Sequence, residues 1–394
     1  MCAEKLSPLD ELIEKWGKLI GNVITSEEQR AKAPITTNNY LTRTASADLI
    51  RIFVDGEGDL NPLYRDPEYA KKTKYKCIIG PPNYLYTVGY AQHPEGRVPI
   101  IPGIAGFYSG CEREWFRPVC DGDTYTYRVT FPSEIKVMNS KFAGRKVQAY
   151  EQCDYYRQGG EIIAGYSAYE TWAEIQKIRE NNKYGNLNQM PVYTEKDLEK
   201  IYTEQDREEI RGANPRYWED VNVGDELIPL VRGPMNEIER DAWMAAGHAH
   251  KVSNRINQLL WKIEPETVTS TVAGRDPPEG FKAAHPRPAV AGQHPEAWRY
   301  VFLSNWMGDD GFLWKFNSQI RMFTMMGDTT WVKGKIINKY CEGGKYCVEI
   351  DIQNINQNGV LTIKGTATVI LPSREHGPVI YPEPYNRVPL ARPG

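Results

Sequence analysis

Hydrophobic and polar residues alternate with a period of two along four segments, two in each half of the chain. They read VCDGDTYTYRVTF and QGGEIIAGYSAYETWAE in the first half, and MGDTTWVKGKIINKY and QNGVLTIKGTATVILP in the second. This period is typical of β-strands with one buried face. Because no helical pattern separates the strands within a half, we expect antiparallel sheets.

The two halves repeat the same marks in the same order. The Gly-Asp turns ending at Asp123 and Asp328 are 205 residues apart, and Gly160 and Gly359 are 199 residues apart. A third pair of glycines, at positions 165 and 365, differs by 200 residues. Insertions of a few residues account for the spread, so the pattern predicts an internal duplication.

Each repeat is predicted to contain one long apolar helix before its strands. The first candidate, GIAGFYSGCEREWF, begins near Gly103, and the second, HPEAWRYVFLSNWMGDDGFLWKF, begins near Pro295. One long helix for each sheet indicates a helix wrapped by that sheet, which is an α+β fold.

The predicted organisation has four parts. They are an N-terminal repeat with a leading amphipathic helix (1–185), a charged helical linker capped at Thr194 (186–215), a C-terminal repeat (216–375) and a Pro-rich tail (376–394).

The composition excludes several classes of function. The chain has 41 % hydrophobic and 25 % charged residues with a net charge of -3, whereas nucleic-acid and membrane-surface proteins normally carry a basic excess. Its seven cysteines include no C-x-x-C pair, which argues against zinc and redox motifs and favours free thiols in a reducing compartment. No run of 18 apolar residues or signal-peptide pattern is present, so we expect a cytoplasmic protein without a membrane partner.

Motifs of other common chemistries are absent. The sequence contains no dinucleotide-binding or P-loop glycine pattern, no G-x-S-x-G and no H-E-x-x-H. The HAH triplet ending at His250 has no evident third ligand, so no metal site is predicted.

One long segment, FVDGEGDLNPLYRDPEYAKKTKYKCIIGPPNYLYTV, resembles the hydratase motif of the MaoC-like (R)-specific enoyl-CoA hydratases and acyl dehydratases. That motif reads Gly-Asp-x-Asn-Pro-x-His, followed by an acidic residue and an alanine. The matching residues are Gly58, Asp59, Asn61, Pro62, Asp66 and Ala70. Downstream, PGIAGFYSGCEREWFRPVCDGD, LSNWMGDDGFLWKF and GDTTWVKGKIINKYCEGG extend the resemblance over roughly residues 40 to 375.

The resemblance implies a double hotdog fold and reversible addition of water to an α,β-unsaturated acyl-CoA thioester. It implies an acyl-CoA substrate, whose coenzyme A is part of the substrate, and hence no separate cofactor. It also implies a homo-oligomer, or a heteromer with a second hotdog subunit.

The resemblance also assigns roles to residues. Asp59 becomes the general base and Asn61 orients the water, while backbone N–H groups near Gly103 stabilise the thioester oxyanion. A glycine there leaves room for the carbonyl group. The family's histidine falls on Tyr64, whose hydroxyl either takes part in the chemistry or only packs.

The second overhang, ERDAWMAAGHAHKVSNRINQ, departs from the pattern differently, with His248 at the aspartate position and Ser253 at the histidine position. Two sources of an imidazole stay open: His285 or His248 of this chain, or a partner chain. The alternatives to a hydratase are a non-catalytic acyl-CoA-binding subunit and a hotdog thioesterase, because hotdog folds host several chemistries.

Overall fold

The computed structural model describes residues 6–28, 44–89, 101–181, 189–248 and 289–384. Within these ranges, no helix combines the length and the apolar character needed to cross a membrane.

The strands form one large antiparallel sheet and one small pair. In chain order they are β1 Val23–Thr25, β2 Ile79–Gly80, β3 Ile104–Trp115, β4 Val119–Cys120, β5 Tyr125–Ser140, β6 Gly144–Arg157, β7 Ile162–Glu174, β8 Leu230–Arg232, β9 Phe312–Ile320, β10 Thr330–Glu342, β11 Lys345–Asn356 and β12 Leu361–Ile370. The ten-stranded sheet has the order β1-β5-β6-β7-β3-β9-β12-β11-β10-β8, and β2 pairs with β4.

The sheet order confirms the predicted duplication. Read outward from its centre, the order β3-β7-β6-β5-β1 in one half matches β9-β12-β11-β10-β8 in the other. The halves join where β3 pairs antiparallel with β9, with Cys111 opposite Ser318 and Arg113 opposite Phe316. The pairing removes one exposed edge from each repeat, which would otherwise be open to association.

Eight α-helices accompany the sheet in the described ranges, besides a helical stretch that begins at Ser26. They are α1 Pro8–Gly17, α2 Ala47–Glu57, α3 Pro67–Ala70, α4 Tyr86–Gly89, α5 Ile175–Asn181, α6 Glu195–Gln205, α7 Glu237–Trp243 and α8 Gln293–Met307. Helix α6 is the predicted linker helix, and Thr194 forms its capping box with Asp197. The bounds of the four predicted parts stay predictions.

Helix α8 is the predicted central helix of the C-terminal repeat. It is buried around nearly its whole circumference, and Trp298, Val301 and Leu303 are each at most 1 % exposed. A helix of this kind requires cover on all sides, which the sheet provides. The helix ends at Met307, before the end of the predicted segment, because Gly308 takes a positive φ of 70° and the following residues form β9.

The central helix predicted near Gly103 is wrong, because residues 104–115 form β3. Buried and less buried positions alternate along much of this segment: Ala105 and Phe107 are buried before a bulge, and Cys111, Arg113 and Trp115 are buried after it. That alternation is a strand period, which the apolar character of the segment concealed. The helical structure that directly precedes β3 in the described residues is a 3-10 turn over Pro82–Leu85, which continues into α4.

Helix α2 leads to the segment that carries the hydratase-like motif. Ser46 caps its N-terminus by accepting a hydrogen bond from the Leu49 N–H. Near its C-terminus, α2 packs on α7 and on the π-helical turn Met244–His248. A Cβ atom on Gly56 would lie 2.3 Å from the Ala246 Cβ atom, so only glycine permits this approach.

A buried polar cluster connects α8 to the junction between the repeats. The Glu296 carboxylate accepts hydrogen bonds from the Tyr86 and Tyr108 hydroxyls, and Arg113 Nη2 of β3 lies 4.0 Å from Glu296 Oε1. The Arg113 guanidinium also stacks 4.3 Å from the Tyr86 ring centroid. Because Glu296 and Arg113 are both buried, each charge depends on the other and on these hydroxyls.

Candidate active site

The motif residues begin at the sharp turn that ends α2. Gly58 is left-handed, with φ 70° and ψ 29°, and the Asp59 N–H donates to the Val54 carbonyl at 2.9 Å. Asp59 Oδ1 accepts the Asn61 N–H at 2.8 Å, and Asn61 Oδ1 accepts the Leu63 N–H at 3.0 Å. One oxygen of Asp59 therefore shapes the turn, as in an ordinary Asx-turn.

The second oxygen of Asp59 is available for other chemistry. The side chain is fully buried, and Oδ2 has no hydrogen-bond partner among the described residues. Burial raises the pKa of Asp59 to about 7; the Asn61 N–H opposes this shift and the charge of Glu208 adds to it. A carboxyl group with a pKa near neutrality suits general acid–base catalysis.

Charged side chains contact the backbone of this turn. Arg65 Nη1 donates to the Asp59 carbonyl at 2.8 Å, and Arg232 Nη2 of β8 donates to the Gly58 carbonyl at 3.2 Å. Arg232 also forms an ion pair with Glu208 at 2.7 Å. The C-terminal repeat therefore holds the backbone of the N-terminal overhang in place.

A second buried carboxyl group, Glu57, lies at the end of α2. It is 3 % exposed, its Oε1 accepts a hydrogen bond from Asn83 Nδ2, and its Oε2 has no partner in the described structure. Burial and then the charge of Asp59 raise the pKa of Glu57 well above its usual value. The sequence analysis did not identify Glu57 as a site residue.

A sequence signal for Glu57 does exist. The buried face of α2 carries Ile50, Phe53 and Val54, and Glu57 continues the same i, i+3, i+4, i+7 stripe. An acidic residue on an apolar stripe is rarely buried without a partner. The signal was missed because residues 47–57 were not identified as a helix.

Tyr64 faces the C-terminal repeat. It is 3 % exposed, and its hydroxyl donates to Ser304 Oγ of α8 at 3.1 Å. Burial, followed by the nearby charge of Asp59, raises the pKa of Tyr64, so the hydroxyl stays protonated. Tyr64 can donate a proton or a hydrogen bond, but it cannot replace the family's imidazole as a base.

We expect Tyr64→Phe to remove the bond to Ser304 while it keeps the packing of the ring. Loss of one buried hydrogen bond should lower the free energy of unfolding by about 0.5–1.5 kcal/mol, measured by urea denaturation. Ser304→Ala is the matched control, because it removes the same bond and leaves Tyr64 in place. Equal activities of the two variants in an enoyl-CoA hydration assay would contradict a chemical role of the hydroxyl beyond this bond.

A small cavity lies beside these residues. It has a volume of about 40 Å³ and is bounded by the overhang, the Gly80–Pro82 segment, β3 and the end of α8. Asn61, Tyr64, Trp115 and Asp309 are among its lining residues, whereas Glu57 and Asp59 are not. This volume suits a water molecule and is too small for an acyl chain.

Of the remaining predicted site residues, the structure describes Gly103 in full and His248 by its backbone alone. Gly103 lies in the turn before β3, where its carbonyl accepts the Ile175 N–H at 2.8 Å, so no helix N-terminus exists there to stabilise an oxyanion. His285 lies outside the described residues, and for His248 only the backbone, at the end of a π-helical turn, is described. In the described ranges, no group of three or more His, Cys, Asp or Glu side chains is arranged to hold a metal ion.

Sequence comparisons match part of the chain. A family model described as the FAS1-like dehydratase domain region matches residues 36–163. A UPF0336 protein of Streptomyces avermitilis is 35 % identical over 89 residues, which are 21 % of this chain and 58 % of that protein. One of Thermobifida fusca is 36 % identical over 92 residues, or 22 % and 59 % of the two chains. The chain therefore spans under two thirds of the length of these relatives.

Solved structures match nearly the whole chain. A MaoC-like dehydratase superposes with a TM-score of 0.60 at 14 % identity, covering 90 % of this chain and 99 % of the other. A putative MaoC domain dehydratase from Chloroflexus aurantiacus gives 0.54 at 13 % identity, with 90 % and 96 % covered. A conserved hypothetical protein from Mycobacterium tuberculosis with a double hotdog fold gives 0.52 at 9 % identity, with 90 % and 97 % covered. The predicted α+β double hotdog is confirmed.

Proposed function

We propose, on the premise that this chain is a double-hotdog protein of the MaoC-like dehydratase family, that it is a hydro-lyase acting on acyl-CoA thioesters. It adds water to an α,β-unsaturated acyl-CoA, or removes water from the 3-hydroxyacyl-CoA, without a separate cofactor.

The observation that carries this proposal is the state of Asp59. Its Oδ1 is fixed by the Asn61 N–H, its Oδ2 has no partner among the described residues, and its pKa is about 7. An aspartate that only forms a turn would not need to have both of its carboxylate oxygens buried. A buried carboxylate near neutral pKa is suited to take a proton from water.

The neighbouring groups fit the rest of such a reaction. Asn61 lines a cavity of about 40 Å³, in which a water molecule would lie near its side chain. Hydration requires this water to attack the β-carbon while a base accepts its proton. An acyl chain exceeds this volume, so substrate binding requires the cavity wall formed by Tyr64 and Trp115 to move.

The test is a panel of enoyl-CoA esters of different chain lengths, incubated with the purified protein alone. We expect loss of the absorbance of the conjugated thioester without release of free thiol, which a thiol reagent measures in parallel. Release of thiol would instead identify a thioesterase.

A second candidate function is that of a non-catalytic acyl-CoA-binding subunit. The observation that favours it is the Tyr64 hydroxyl, which is engaged with Ser304 at the position of the family's histidine. Binding of a saturated acyl-CoA in calorimetry, with no turnover of any enoyl-CoA, would select this function. Turnover that appears only after a second hotdog subunit is added would select a heteromer.

The cellular setting forms part of the proposal. We propose a cytoplasmic protein that works as a homo-oligomer or with a second hotdog subunit. Sedimentation of the purified protein, with and without an acyl-CoA, measures the oligomeric state.

A further inference from the structure

Tyr64 occupies the position of the family's histidine, so the proposed reaction needs an acid other than an imidazole at that position. Hydration needs a base for the water proton and an acid that protonates the α-carbon. Tyr64 stands at the histidine position, but its hydroxyl donates to Ser304 at 3.1 Å. Among the described residues, Glu57 precedes Asp59 by two positions, is buried and has a raised pKa, so it can hold a transferable proton.

We propose that Glu57 and Asp59 form a carboxyl pair that replaces the aspartate–imidazole pair, with Glu57 as the acid and Asp59 as the base. This inference rests on the proposed hydratase function. It assigns a catalytic role to Glu57, which the family motif does not include.

The first support is the way in which Glu57 is held. Asn83, which is 1 % exposed, donates its amide N–H to Glu57 Oε1 and fixes the carboxyl group at the start of the 3-10 turn Pro82–Leu85. This turn adjoins the cavity, since Gly80 and Pro82 line it. Glu57 is therefore oriented by a residue of the turn that adjoins the cavity.

The second support is a set of three buried oxygen atoms. Glu57 Oε2, Asp59 Oδ2 and Asn83 Oδ1 have no hydrogen-bond partner in the described ranges. Burial of unpaired acceptors is costly, so each of these oxygens favours a proton donor nearby. A proton on Glu57 supplies a donor without any further group.

The charges around the pair favour that proton on Glu57 rather than on Asp59. Asp59 has the cations Arg65 and Arg232 nearby and accepts the Asn61 N–H, all of which favour its charged form. Glu57 has the Asn83 amide, but burial and the charge of Asp59 disfavour its charged form. The other charged or titratable groups that face the pair are Glu208 and Tyr64.

The reaction then balances with the two carboxyl groups alone. The water oxygen bonds to the β-carbon as Asp59 Oδ2 takes its proton, and the electron pair of the C=C bond moves into the enolate. The proton of Glu57 then adds to the α-carbon, and the thioester carbonyl re-forms. Transfer of the proton from Asp59 to the Glu57 carboxylate restores the starting state.

The expected pH dependence has two limbs. The kcat/KM for an enoyl-CoA should rise as pH passes about 7, where Asp59 ionises, and fall at higher pH, where Glu57 loses its proton. Such limbs report the pair as a coupled system. Glu57→Gln should lose the falling limb and about 10²-fold in kcat.

The matched control is Glu151→Gln, which alters another buried glutamate, bonded to the Tyr166 hydroxyl of the sheet. It should leave both limbs in place. A Glu57→Gln variant that keeps the wild-type kcat and both limbs would overturn the proposal.

An infrared measurement separates this proposal from the hydratase function. At neutral pH the wild-type protein should show the carbonyl band of a protonated carboxylic acid that Glu57→Gln lacks. Absence of this band overturns the carboxyl pair even in an active hydratase. An inactive wild-type protein that shows the band supports a proton on Glu57, while it overturns the hydratase function and with it the role of Glu57 as acid.

Discussion

Asp59→Asn should reduce the kcat of enoyl-CoA hydration by about 10²–10⁴, the usual contribution of a positioned general base. The substitution keeps an oxygen that can accept the Asn61 N–H, so the turn at Gly58 should persist. Circular dichroism and the melting temperature check the fold, and steady-state kinetics measure the loss. An unchanged kcat would remove the hydratase site from this overhang.

The same variant should change the pH dependence of stability. Burial raises the pKa of Asp59 from 3.8 to about 7, so the folded state binds this proton more tightly than the unfolded state. The resulting stabilisation is complete below the unfolded pKa and is lost as pH rises through about 7. Asp59→Asn should remove this decline, by up to about 4 kcal/mol in urea denaturation across that window.

Arg113→Met should destabilise the junction between the repeats by about 3 kcal/mol. The substitution removes the guanidinium that lies 4.0 Å from Glu296 Oε1 and leaves the buried Glu296 carboxylate without this cation. The hydroxyls of Tyr86 and Tyr108 stay with Glu296, and Arg299 of α8 remains nearby. These remaining groups place the expected loss at the lower end of the range for broken buried pairs.

Arg128→Met is the control for Arg113→Met. Arg128 also stacks on a tyrosine, with 5.1 Å to the Tyr156 ring centroid, but it is only half-buried and lies on β5. It should cost less than about 1 kcal/mol. In a double-mutant cycle, Arg113→Met and Glu296→Gln should couple by about 0.5–3 kcal/mol, and additive effects would show that the two charges do not interact.

The sequence alone determined the repeated fold. The period-two segments correspond to strands of the sheet, and the repeated Gly-Asp turns carry the duplication that the sheet order confirms. The largely apolar run of α8 identified a buried helix, because its pattern leaves no continuous polar face for water. The resemblance to the hydratase motif identified Asp59. This was possible because the motif marks a local turn, in which the Asp59 carboxylate accepts the Asn61 N–H two residues on.

Tertiary structure decided what local pattern leaves ambiguous. The segment after Gly103 is rich in apolar residues, and such a segment suits a buried helix or a buried strand until its partners are known. Pairing with β7 and β9 makes it β3, and this removes the predicted oxyanion site at Gly103.

Tertiary structure also decided the electrostatics of the site. Asn83 and Ser304 reach Glu57 and Tyr64 from 26 and 240 residues away along the chain. No sequence spacing predicts such contacts. The sequence therefore determined the four period-two strands, the duplication and the candidate Asp59, whereas tertiary packing decided which carboxyl groups are buried.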